Sequence, residues 1–310
     1  MTKHKKRKRH HKEAAPARLR DTGHVDLYEL FESIHYREFK ILLKAADFSD
    51  DLVAEMRDYW KVARRVATQL LIHVHRGKEE HVGRQRDIVF LDTPHADLYR
   101  NSFMLRIRHP RIDGAPADTY ELTLKFRDSN IGRAALVDVT PAKGVKGIVK
   151  FKEEILLVHS QLGGMRSIFS HSCQVREHRG PPPRTFSDCV EMFPGLAVLG
   201  LAPRARLAPA TAVPVQEVLF DLGLFGFKGS KTAKVDMAVW RNARTKKVMI
   251  GEFAYETHFP HYGRLHAVPK LRSERLYRLL QRETGTWVDL GTTKTAMYYG
   301  LGGKKVAHDE

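Results

Sequence analysis

Residues 103–128 read FMLRIRHPRIDGAPADTYELTLKFRD. Two runs of alternating residues flank a turn-forming segment that carries Asp113-Gly114 and Pro116. In a strand, successive side chains point to opposite faces. Phe103, Leu105 and Ile107 therefore share one face of the first strand, and Arg106 and Arg108 the other. Leu122, Leu124 and Phe126 repeat the apolar face in the second, opposite Thr123, Lys125 and Arg127. Two neighbouring strands thus present four cations on one side. An open sheet with that face in solvent is one arrangement, and a closed barrel with the charge inside is the other. Exposed faces usually mix signs, so a run of one sign favours the barrel.

The composition agrees with an anionic partner. The 310-residue chain has 53 Lys+Arg against 36 Asp+Glu, a net charge of +17. Residues 1–20 hold nine basic residues and one Glu, which leaves 44 against 35 for the rest, so the body is basic as well as the tail. Such an excess suits phosphates, polyphosphate or nucleic acid. Only Cys173 and Cys189 are present, and no apolar run reaches the ~18–20 residues of a membrane span. The expectation is a protein of the reducing cytoplasm without a disulfide framework.

Residues 1–22 read as a basic, disordered tail whose electrostatic partner would be nucleic acid or polyphosphate. Residues 23–310 read as a single domain. Helices are expected over VDLYELFESIH, after the Ser49-Asp50-Asp51 start, over LRSERLYRLLQRET and over TTKTAMYYGL. Strands are expected at YREFKILLKA, RDIVFLDTP, SFMLRIRH, TYELTLKFR and VKFKEEILLV, then at 198–208, 215–222, 232–241 and 247–257. Residues 160–195 read as a mixed, partly helical connection. The fold class is α+β, a mainly antiparallel eight-stranded barrel with helices packed outside.

Parity assigns an inner face to each strand: Glu38 and Lys40; Arg106 and Arg108; Thr123, Lys125 and Arg127; Lys150, Lys152 and Glu154; Arg204 and Arg206; Lys234 and Asp236; Glu252 and Glu256. Unpaired charges in a dry interior cost several kcal/mol each, so this many require water, mutual pairing or a ligand. A wet tunnel with basic walls and a set of carboxylates satisfies that requirement.

At this point the residues resemble the CYTH domain of the triphosphate tunnel metalloenzymes. Asp92-Thr93-Pro94, Leu105-Arg106-Ile107-Arg108 and Leu122-Thr123-Leu124-Lys125 follow the family pattern in order and spacing. LGLAPRARL resembles its K-x-R strand at Arg204 and Arg206, GEFAYE its glutamate-bearing late strand, and TTKTAMYYGL its closing helix. The resemblance implies an eight-stranded tunnel that takes a triphosphate end-on, with Mg²⁺ or Mn²⁺ as cofactor. Carried over residue by residue, it implies phosphate contacts from Arg106, Arg108, Lys125, Arg127, Lys150, Lys152, Arg204 and Arg206. It implies catalytic roles for Lys40 and Glu38, and metal ligation by Glu38, Glu252 and Glu256 with help from Glu154 and Asp236. The implied activity is metal-dependent hydrolysis of inorganic, thiamine or nucleoside triphosphate. The family's opening E-x-E-x-K departs here: Tyr36 stands where the first glutamate belongs, and a phenol is a far weaker metal ligand. The alternative is therefore a catalytically weak or inactive binder of polyphosphate or nucleic acid.

Other features carry less. His171, Cys173, His178 and Cys189 match no paired zinc spacing, and His258, His261 and His266 read as loop histidines. GFKGSK lacks the spacing of a phosphate loop, and no G-x-S-x-G elbow is present.

Overall fold

The computed structural model describes residues 27–77, 83–227, 231–259, 267–291 and 293–303. The basic tail, His261, His266 and residues 228–230 of GFKGSK lie outside the described residues. The strands are β1 Tyr36–Leu43, β2 His73–Arg76, β3 Arg84–Asp92, β4 Phe103–Ile112, β5 Ala115–Pro116, β6 Tyr120–Asp128, β7 Ile148–Val158, β8 Gln161–His178, β9 Ala208–Pro209, β10 Val215–Phe227, β11 Lys231–Asn242 and β12 Val248–His258. The helices are α1 Leu27–Glu32, α2 Leu52–Gln69, α3 Asp97–Arg100, α4 Ile131–Leu136, α5 Phe186–Met192, α6 Ala267–Glu283 and α7 Lys294–Leu301. None of the described helices is long and apolar enough to cross a membrane.

Nine strands close a barrel in the order β10-β11-β12-β1-β7-β8-β6-β4-β3, and β3 pairs back onto β10 to seal it. The α+β class and the mainly antiparallel barrel are as expected, and the strand count is corrected from eight to nine. A closed ring with an odd number of strands cannot alternate direction all the way round. One pair must run parallel, and it is β1–β7, joined only over Tyr36–Phe39 and Lys152–Ile155. The extra member is β8, which the sequence reading placed in a mixed connection. Its outward positions Phe169, Cys173 and Val175 are apolar, but its inward positions include Ser170, Ser172 and Gln174. With Gly163-Gly164 at its start, that polar, small-residue face hides the strand signal.

The reading also expected a strand at 198–208, and it does not form. Residues Pro194–Leu199 make a 3₁₀ turn ended by Gly200 at φ 60°, a left-handed position suited to glycine. The following segment pairs with the start of α5: Ser187 N–H donates to Pro203 O, Phe186 N–H to Ala205 O, and Leu207 N–H to Arg184 O. Pro203 lacks a ladder donor, and the β3–β10 pairing already fills the barrel seat.

Two apolar cores lie between the barrel wall and the helices. Tyr59 and Trp60 of α2 meet Phe253 and Phe225 at ring separations of 5.1 and 5.5 Å, and Tyr277 of α6 meets Phe39 at 5.4 Å. On the opposite side, Leu105, Leu122, Leu124 and Phe151 pack with Leu30 of α1, Ala134 of α4 and Phe186 of α5. Asp92, the first residue of the Asp-Thr-Pro turn, ties this frame together. Its buried carboxylate accepts from the backbone N–H of Thr93, Leu98 and Tyr99 and from the Tyr299 hydroxyl of α7, at 2.7–3.0 Å. The Asp-Thr-Pro turn therefore seats α3 and docks α7.

Candidate functional site

Each barrel strand turns one face outward to an apolar core, so alternation aims its other face into the lumen. The resulting cavity has a volume of about 290 Å³ and is lined by ten lysines and arginines but only four carboxylates. Glu38, Lys40, Arg106, Arg108, Lys125, Arg127, Lys150, Lys152, Asp236 and Glu252 all line it. Glu154 and Glu256 belong to the same inner face through their ion pairs with those lysines. Arg204 and Arg206 do not join them. Both are exposed outside the barrel beside α5, because their segment is not a barrel strand.

The cavity has two electrostatic zones. In the first, Glu256, Glu38 and Glu154 fall at directly registered positions of β12, β1 and β7. Glu154 is 0% exposed. It accepts from Lys40 Nζ at 2.8 Å, Arg127 Nη2 at 3.0 Å and Ser170 Oγ at 2.6 Å, and also from Lys125. Glu38 and Glu256 share Lys152, and Glu38 also pairs with Lys40 at 3.2 Å. Burial alone would raise Glu38 and Glu154. The facing cations outweigh it: Lys152 and Lys40 hold Glu38 at about 2, and Arg127, Lys125 and Lys40 hold Glu154 well below its ordinary range. Lys40 moves the other way. Glu154 and Glu38 raise it against burial.

In the second zone Arg86, Arg106 and Arg108 face Glu217 and Glu121. Arg86 is paired with Glu217, and Arg108 with Glu121 at 3.0 Å. Arg106 has no hydrogen bond or ion pair among the described residues, and its Nε is fully buried. Burial and the neighbouring Arg108 and Arg86 push its guanidinium down to about 9. Lys294, at the start of α7, closes this zone with Nζ 2.9 Å from Glu252 and 3.6 Å from Glu217, over the ring of Trp240.

Parity applied to β3 and β10 would have found Arg86 and Glu217, and applied to the start of the Leu122 strand it would have found Glu121. Lys294 enters from a helix, so no strand pattern marks it. Tyr36 stands where the sequence resemblance places the first glutamate. Its ring receives Lys150 Nζ at 4.8 Å and Lys152 Nζ at 5.5 Å and packs on His258 at 4.7 Å. Cation–π attraction has thus replaced an ion pair at one mouth of the cavity.

Among the described residues no three Asp, Glu, His or Cys side chains converge as a metal cluster. Of the five expected carboxylates, Glu154 accepts from three cations, Glu252 faces Lys294, and Asp236 pairs with Lys234 at 2.8 Å. Glu38 and Glu256, opposite one another and sharing one lysine, remain the pair fit to hold an ion. Mg²⁺ is commonly bound by one or two carboxylates completed by substrate phosphates, and this pair fits that pattern rather than an all-protein cage.

Glu121 sets the acid sensitivity of the second zone. Burial raises its carboxyl, but Arg108 and Arg106 outweigh it and hold it at about 2, against an ordinary 4.5. A depressed acid stabilises the fold above its unfolded pKa and loses that contribution as pH falls through the folded one. The unfolding free energy measured with urea is therefore expected to fall between pH 4.5 and about 2, by up to about 3 kcal/mol from this group. Glu121→Gln should flatten that dependence, and an unchanged slope would remove Glu121 from the account.

A closed barrel with helices outside, an inward row of basic strands and a helix stoppering one zone together make a cation-lined tunnel. No protein-family model matches the sequence, and no curated protein does. Solved structures are similar at low identity. One is HpAC1 from Hippeastrum, described as an adenylyl cyclase candidate with a dominant triphosphatase activity; it is 12% identical over 88% of this chain and 98% of its own, with a TM-score of 0.43. A candidate adenylate cyclase from Bacillus halodurans is 12% identical over 86% of this chain and 99% of its own, with a TM-score of 0.35. PH1819 from Pyrococcus horikoshii is 12% identical over 81% and 91%, with a TM-score of 0.31.

Proposed function

We propose that the protein binds a triphosphate lengthwise in this tunnel and hydrolyses its terminal phosphoanhydride with Mg²⁺ or Mn²⁺. The observation that carries the reading is Arg106, a cation enclosed by the barrel beside two more arginines, with no hydrogen bond or ion pair among the described residues. Such a group is costly without an anion, and arginine suits phosphate oxygens through charge-assisted hydrogen bonds. Arg106 and Arg108 take one part of the phosphate chain, and Lys125, Arg127, Lys150 and Lys152 the rest. Lys40, between Glu38 and Glu154, stands beside the phosphate chain and balances its charge. Glu38 and Glu256 would hold the divalent ion together with phosphate oxygens. When bound, the ion neutralises charge on the leaving phosphate and favours ionisation of the attacking water.

Tyr36 favours a second reading, a tunnel that binds a triphosphate and turns it over slowly. Phosphate release from tripolyphosphate, nucleoside triphosphates and thiamine triphosphate, each with Mg²⁺ or Mn²⁺, separates the two. Turnover of any of them that disappears with EDTA supports the enzyme. Tight tripolyphosphate binding with no release from any leaves only the binder.

A further inference from the structure

On β1 and β7 the inner wall changes chemistry along its length, whereas on β12 Glu252, paired with Lys294, stands opposite Leu42. On β1 the inward sequence is Glu38, Lys40, Leu42, and on β7 it is Lys152, Glu154, Leu156. These two strands run parallel, so both switch from charge to leucine towards the same end. At that end Leu157 and Leu290 also line the cavity, and Arg166, registered opposite Leu156, stands among them. Two backbone hydrogen bonds hold Leu290 in place: Asp289 N–H donates to Leu42 O at 2.8 Å, and Ser160 N–H to Leu290 O at 3.4 Å. Leu42 and Leu157 also belong to the apolar core under α2 and α6, and Leu290 packs against it, whereas Leu156, 8% exposed, belongs to neither core among the described residues. Its apolar surface faces the cavity.

From this we infer that the tunnel has a direction: the charged stretch holds the phosphates, and the leucine end, Leu42, Leu156, Leu157 and Leu290, seats an apolar group esterified to the triphosphate. The substrate class is then an organic triphosphate with a compact hydrophobic substituent, not inorganic triphosphate. This inference rests on the triphosphate reading above. A bare triphosphate leaves uncovered the small cavity-facing area of these leucines, Leu42 being 7% exposed and Leu156 and Leu157 8%. An apolar substituent continuous with the phosphate chain removes both surfaces from water at once. The volume of about 290 Å³ sits at the lower edge of pockets that hold organic ligands, roughly 300–1,000 Å³. That size selects a small substituent. Arg166 Nε donates to Leu157 O at 3.2 Å, which braces the rim of this end.

The test is a pair of titrations by calorimetry, with tripolyphosphate and with phenyl triphosphate, on the full chain and on two variants. The expected result is at least tenfold tighter binding of phenyl triphosphate. Leu156→Gln and, on the half-exposed linker, Leu290→Gln should each reduce that preference severalfold and leave tripolyphosphate binding within twofold. Equal affinity of the unaltered protein for the two ligands would overturn this inference and leave the triphosphate reading standing. So would Leu290→Gln lowering both affinities alike. Binding of neither ligand would overturn both.

Discussion

Replacing Arg106 with alanine is expected to weaken tripolyphosphate binding by about 30- to 1,000-fold, roughly 2–4 kcal/mol, while leaving the ligand-free protein as stable as before or more so. The two effects have one cause. In the ligand-free protein Arg106 is a half-buried cation with a buried Nε that forms no ion pair; its removal relieves desolvation and repulsion from Arg108 and Arg86, which offsets the lost attraction to Glu121 and Glu217. With a triphosphate present the same guanidinium supplies charge-assisted hydrogen bonds to phosphate oxygens. Thermal unfolding reads both halves. For the unaltered protein, tripolyphosphate at 100 times its Kd should add about 2.7 kcal/mol of stability. At that same concentration Arg106→Ala should lose most of the shift. A variant that unfolds at lower temperature without ligand, and binds tripolyphosphate as well as before, would show that Arg106 serves the fold and not the anion.

Glu154→Gln is expected to act in the opposite sense. Glu154 is the anion on which Lys40, Lys125 and Arg127 converge, with Ser170 donating a fourth contact. A glutamine keeps the shape but removes the charge, and three buried cations then face one neutral carbonyl. Removing one partner of a buried ion pair costs about 3–5 kcal/mol, and urea unfolding should show a loss of that order. Added tripolyphosphate should restore more stability to Glu154→Gln than to the unaltered protein, because the ligand supplies the missing negative charge. If the variant loses nothing, or the ligand fails to help it, the cations are not held by Glu154 in the way its contacts imply. Arg106→Ala and Glu154→Gln therefore bracket the cavity: one removes a cation waiting for an anion, and the other removes the anion that stands in for it.

Much of this was legible beforehand because β-parity is a local property. Arg106, Arg108, Lys125 and Arg127 point inward for the same reason that Leu105, Leu122 and Leu124 point to a core: the backbone pleat leaves no other choice once one face is buried. Glu252 and Glu256 follow the same rule on β12. Parity was silent where the inner face is not charged, and so β8, with Ser170, Ser172 and Gln174 inside, was not seen as a strand. It misled where a charged alternation is not a strand at all, as at Arg204 and Arg206, where Pro203 and the turn at Gly200 send the chain outside.

The sequence by itself determined the inward charge of the wall, because alternation and apolar burial act within each strand. Only the tertiary structure decided how that charge is shared out. Closure of nine strands forces the parallel β1–β7 pair, which sets Glu154 beside Glu38 and Glu256 and turns the leucines of both strands to one end. Register and closure also bring Lys294 to Glu252 and Glu217 while leaving Arg106 without an ion pair among the described residues. Coulomb interactions depend on distances between strands far apart in the chain, and those distances exist only once the barrel has closed.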